Sequence, residues 1–82
     1  MEKFSNLVKK ELSSARSKHG KQHSLHEGYG ILLEEVDELW DEIKKKSSQR
    51  DLDNLLNELV QIGSCAQKMA EDTVIPLLKK KK

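Results

Sequence analysis

The chain has one cysteine, one proline and three aromatic residues, and each shortage removes a class of explanation. With Cys65 alone, no intrachain disulfide forms and no cysteine-based zinc site can be built, which fits a reducing, cytoplasmic setting. No apolar run approaches the ~20 residues that span a bilayer, and the N-terminus alternates charged with apolar residues instead of carrying a signal-peptide core. The expectation is a soluble protein that is not exported and meets no membrane. Phe4, Tyr29 and Trp40 are too few for an interleaved stacking surface on single-stranded nucleic acid. The sequence also has no Walker loop, no Gly-x-Gly-x-x-Gly, no His-Glu-x-x-His and no nucleophile elbow. Any phosphate chemistry must therefore rest on metal ions.

Charge is what the chain has in quantity, with 35% Asp, Glu, Lys and Arg in 82 residues. That length allows one domain with a small core, and help from a partner chain is expected. The net charge of +1 includes Lys79 to Lys82, and removing those four leaves −3 on the rest. The organisation expected is one helical domain over 1–76 and a basic tail over 77–82. The tail reads as a solvated, frayed end, with contact to nucleic acid or an anionic membrane as the lesser reading.

Apolar spacing predicts three helices. The first covers about Lys3 to Lys18, with Phe4, Leu7, Val8, Leu12 and Ala15 on one face and Gly20 beyond its end. The second starts at Ser24, where Ser24-Leu25-His26-Glu27 has capping-box spacing, and continues to about Lys46. Gly28 and Gly30 each weaken its first turns by ~1 kcal/mol relative to alanine, and also permit a close backbone approach. Its broad apolar face is Leu25, Tyr29, Leu32, Val36, Leu39 and Ile43. The third runs from Asp51 or Asp53 to Asp72 or Thr73, where Pro76 is expected to prevent much extension. Leu52, Leu55, Leu59, Ile62, Ala66, Met69 and Ala70 share one face of it, and Glu58 sits at the edge, expected partly buried. Leu56 and Val60 start a second apolar strip that one neighbour cannot cover. The fold expected is all-α, an antiparallel helical hairpin that forms a multi-helix bundle through oligomerisation.

Two acidic clusters stand out on successive helices. In Glu34-Glu35-Val36-Asp37-Glu38, the i,i+4 pair Glu34/Glu38 and the i,i+3 pair Glu35/Glu38 project to one side; Glu58 follows on the next helix. Crowded carboxylates repel unless they face water, lie beside basic groups, or hold a hard cation that takes oxygen ligands. From composition alone, a glutamate-rich helix reads first as an ordinary wet face.

The stretch His26-Glu27-Gly28-Tyr29-Gly30-Ile31-Leu32-Leu33-Glu34-Glu35-Val36-Asp37-Glu38-Leu39-Trp40-Asp41-Glu42, followed by Asn57-Glu58-Leu59-Val60-Gln61, resembles the MazG-type all-α nucleoside triphosphate pyrophosphohydrolases. The similarity covers roughly Ser24 to Asp72. The family pattern is Glu-Glu-x-x-Glu and then Glu-x-x-Asp on the next helix. The resemblance implies hydrolysis of a nucleoside triphosphate to monophosphate and pyrophosphate, with Mg2+ or Mn2+, in a homodimer or homotetramer. Carried over by position, it implies Glu35, Glu38 and Glu58 as metal ligands, Gln61 in the remaining ligand position, and Glu34 as a further acidic group that orients the metal and its water. The catalytic set is then Glu34, Glu35 and Glu38. Gln61 departs from the family aspartate: an amide oxygen still ligates Mg2+, but it brings no charge and is no carboxylate base. The alternative reading is a non-catalytic MazG-like helical module that binds nucleotide or a protein partner.

Other residues make weaker claims. His19, His23 and His26 have ligand-like spacing in what reads as a loop entering a helix. Cys65 reads as a small packed residue, Trp40 as an interface residue with base stacking as the lesser reading, and Lys44 to Lys46 as a helix-terminal cluster able to touch a triphosphate.

Overall fold

Capping chemistry sets the helix boundaries. The computed structural model describes residues 2–81, among which three long helices occur and no strand: α1 (Phe4–His19), α2 (Leu25–Ile43) and α3 (Leu52–Met69). Gly20 ends α1 at φ 68°, a left-handed value that a glycine adopts without a Cβ penalty, and its N–H donates to the Arg16 carbonyl. Ser24 Oγ accepts from the Glu27 backbone N–H at 3.1 Å and starts α2 where the capping box predicts. Asp51 caps α3 in the same way, through the Asn54 N–H at 3.2 Å.

Two boundaries differ from expectation. The α-helical run of α2 ends at Ile43, short of Lys46, because Glu42 is drawn into the following connection. Its Oε2 accepts from the Asp51 N–H at 3.0 Å, and its Oε1 accepts from Asn54 Nδ2 at 2.8 Å and Lys45 Nζ at 3.0 Å. One carboxylate thus ties the end of α2 to the start of α3, and the link is finished by Arg50, whose Nε donates to the Ile43 carbonyl at 3.0 Å.

The helical rod after α3 also continues past Pro76. A π turn over Ala70–Val74 leads into a short α4 (Ile75–Lys80). Proline has no N–H for the carbonyl four residues back and its ring crowds that turn; the wider π turn accommodates both defects. The expected frayed tail is therefore helical to Lys80, while Lys82 lies outside the described residues. From Leu52 to Lys80 the rod is about 43 Å long at ~1.5 Å per residue, most of the molecule's 51 Å length.

Helix α3 is the central element, with α2 against one side and α1 against the back. Val8, Leu12 and Val60 are the buried apolar side chains. Gly63 lets α1 come close, since a Cβ there would lie 3.0 Å from Val8 Cγ2. Gly28 does the same between α2, the 20–24 loop and α3: its Cβ would fall 2.6 Å from both Gln22 Oε1 and Met69 Cγ. Gly30, by contrast, meets nothing within 4 Å. A latch holds the upper end of the molecule, where Arg16 bridges Asp72 at 2.7 Å and Glu71 at 3.0 Å, and the Gln22 N–H donates to Asp72 at 2.8 Å.

The expected apolar faces are rotated in the structure. Helix α2 presents Gly28, Leu32, Glu35, Leu39 and Glu42 to α3, while Leu25, Tyr29, Val36 and Ile43 remain exposed. On α3 the strip begun by Leu56 and Val60 is covered by α1, and it is Leu52 and Leu59 of the other strip that stay exposed. At 100° per residue these uncovered side chains of α2 and α3 lie on one side of the hairpin, opposite the side that carries Glu34, Glu38 and Gln61.

Candidate metal centre

Antiparallel pairing of α2 and α3 brings the two acidic motifs level with each other. Glu35, Glu38 and Glu58 each offer a carboxylate oxygen, and these three atoms lie within 4.8 Å of one another. Two ligands of one Mg2+ are at most ~4.2 Å apart at ~2.1 Å per bond, so small side-chain torsions close the set around a cation. The fit has an independent sign. Glu58 is 8% exposed and its Oε2 has no hydrogen-bond partner. A buried carboxylate oxygen without a donor is costly, and a cation at this point would supply its missing partner.

The electrostatics agree. Burial, the neighbouring Glu38 charge and the adjacent Glu58 carboxylate push the Glu35 carboxyl up to about 7. Burial also raises Glu58. A proton held by Glu35 is thus the cation-free solution to the same repulsion. Glu42, seven residues along α2, shows the opposite case: the Asp51 N–H, the Asn54 amide and Lys45 hold it down to about 2.

Gln61 is half-buried one turn beyond Glu58 and lines, with Glu35, a cavity of about 580 Å3 between α1, α2 and α3. It sits beside the carboxylates and contributes no charge to them. Glu34 is exposed and stands outside the close-set three. Lys18, His19 and Lys68 line the upper part of the cavity, and Cys65 lies in its wall. Burial raises the Cys65 thiol, which leaves it protonated and a poor nucleophile.

The other singled-out residues are dispersed. His19 borders this cavity whereas His23 and His26 border a separate hollow against α4, so the three histidines form no ligand set. Trp40 is 58% exposed in the single chain. Lys44 and Lys45 pair with Asp41 and Glu42, at the end of α2 away from the cavity's lysines.

No family model, curated protein or solved structure matches this chain. Among the described residues no helix is long and apolar enough to cross a membrane.

Sequence reasoning missed two groups here. Glu42 carries no local signal of its role, and only its nearness to Asp51 and Asn54 in space reveals the link it makes. Lys68 carried a usable signal, because it lies seven residues after Gln61 and so on the same side of α3.

Proposed function

We propose that this protein is a Mg2+-dependent nucleoside triphosphate pyrophosphohydrolase of the MazG-like type, acting as a homodimer or larger assembly. The observation that carries the reading is the meeting of Glu35, Glu38 and Glu58 oxygens from two helices, with Glu58 buried and its Oε2 unpartnered. Oxygen-only donors suit Mg2+, with Mn2+ as a substitute. When bound there, the ion would shield phosphate charge and acidify a water.

The chain's own residues set the rest. Glu35 and Glu58, held close by helix packing, are fixed ligands. Glu38 is exposed at the rim, and Glu34, one turn before it on the same side, is in reach of solvent to accept the proton of the attacking water. Attack at the α-phosphorus breaks the bond to the bridging oxygen and releases pyrophosphate, leaving the monophosphate. The adjoining cavity, about 580 Å3, falls in the ordinary range for small-molecule sites.

Surface area supports assembly. A compact chain of this mass, 9.4 kDa, exposes about 5,000 Å2, whereas this one exposes 6224 Å2. The excess exceeds the ~800 Å2 per partner of an ordinary interface. Leu25, Tyr29, Val36, Ile43, Leu52 and Leu59 supply an apolar face for it, on the side away from the carboxylates. A second copy offering the same face completes a bundle by two-fold symmetry.

A second reading, a non-catalytic module that keeps the fold and binds nucleotide or a protein, is favoured by Gln61, which supplies an amide where a fourth carboxylate would add charge. A panel of nucleoside triphosphates with Mg2+, assayed for pyrophosphate release, separates the two. Pyrophosphate from at least one nucleotide, lost in Glu38→Gln, supports the enzyme. Metal binding without any pyrophosphate supports the module.

A further inference from the structure

The cavity beside the carboxylates has two unlike ends. Its lower end holds Glu35 and Gln61; its upper end holds Lys18 and His19 from the last turn of α1 and Lys68 from the last turn of α3, with Glu27 from the first turn of α2 the one acid among them. Seven residues separate Gln61 from Lys68, so the lysine lies about 10 Å further along the helix axis. Among the described residues neither Lys18 nor Lys68 is in an ion pair, although Arg16 beside Lys18 makes two. Ser64, buried at 4% exposure, and Cys65 floor the space between the two ends.

We propose that the upper end of this cavity, formed by Lys18, His19 and Lys68, seats the terminal phosphates of a polyphosphate chain whose inner phosphate lies at the carboxylates. This rests on the metal-centre reading above and adds the direction in which the substrate lies. The pyrophosphate product would then leave by way of α1, and the nucleoside would lie toward the open side of Glu38.

Charge imposes an order on binding. Glu11, Glu27 and Glu35 also border the cavity, so with His19 neutral and Glu35 ionised, above the pH at which it titrates, the wall carries −1. A polyanion is repelled from that wall until a divalent cation reverses its sign. Metal must bind first or arrive with the anion.

Inorganic tripolyphosphate is the probe, titrated into the full chain with Mg2+ in excess over the anion, and again in EDTA. Binding is expected only with Mg2+. The double variant Lys18→Met, Lys68→Met should weaken it at least about tenfold through the loss of charge-assisted contacts, while Mg2+ alone raises the melting temperature as in wild type. Glu27→Gln, which keeps the Ser24 cap, should tighten binding, and a gain of affinity cannot come from misfolding. Equal tripolyphosphate affinity in wild type and double variant, or no binding despite an intact Mg2+ shift, overturns this proposal alone. Loss of the Mg2+ shift in the wild type overturns the metal centre and this proposal with it.

Discussion

Replacing Glu58 by glutamine should make the metal-free protein more stable and nearly blind to Mg2+. Two unit charges 4.8 Å apart repel by about 3.5 kcal/mol at an effective dielectric of ~20. Glu38 is exposed and Glu35 half-buried, so screening reduces the relief from losing one charge to ~1 kcal/mol. The new amide also offers an N–H group on a buried side chain whose Oε2 has no partner, beside the other carboxylates. For a chain of this size ~1 kcal/mol moves the melting temperature by about 4–8 °C. In EDTA, well above the pH at which Glu35 titrates, Glu58→Gln should melt higher by that amount. Mg2+ at ten times its Kd should stabilise the wild type by about 1.4 kcal/mol, or ~6–11 °C, and the variant by a small fraction of it. Thermal melts by far-UV circular dichroism read both effects. A variant that is less stable without metal yet keeps the full Mg2+ shift would refute the reasoning.

The two helical glycines of α2 should respond oppositely to alanine. Gly30→Ala meets open space and should stabilise by up to ~1 kcal/mol; Gly28→Ala should destabilise by about 1 kcal/mol or more, because its methyl strikes Gln22 and Met69, and chemical denaturation compares them. Stability should fall at both ends of the pH scale for separate reasons. Glu35 is raised from 4.5 to about 7, so its contribution in EDTA is complete below 4.5 and fades as pH rises through 7. Glu42 is lowered from 4.5 to about 2, so its contribution is present above 4.5 and fades as pH falls through 2; melts across pH should show Mg2+ flattening the first limb and Glu42→Gln the second. Gln61→Asp should raise Mg2+ affinity and pyrophosphate release while lowering metal-free stability, read by calorimetry and turnover; affinity and turnover that both stay flat mean Gln61 takes no part. Tyr29→Glu on the uncovered face should shift the sedimenting species toward monomer, and an unchanged assembly would place the interface elsewhere.

Local signals were legible in the sequence. Ser24 with Glu27, Gly20, and the acidic start of α3 give the helix ends because each acts on neighbours a few residues away. The pairing of Glu35 and Glu38 with Glu58 was legible too, since helix periodicity and one short connection bring them together. The orientation of each face was not. Apolar spacing puts Leu25, Tyr29 and Val36 on one broad face with Leu32 and Leu39, but Gly28 permits a closer approach than a leucine face does, and Glu42 fixes the rotation from the other end. The helix beyond Pro76 was hidden for a related reason: proline forbids a regular turn, not a π turn. The cavity needed α1, whose position over α3 depends on Gly63 meeting Val8 and on the Arg16 to Asp72 latch, contacts that no local spacing encodes.

The central claim is that Glu35, Glu38 and Glu58 hold one divalent cation. A crystal of the protein grown or soaked with Mn2+ and measured for anomalous scattering tests it most directly. The account predicts an anomalous peak bonded to oxygens of all three carboxylates, and its absence from an otherwise isomorphous Glu58→Gln crystal. A peak elsewhere, or three carboxylates that stay unbridged at saturating Mn2+, would contradict it.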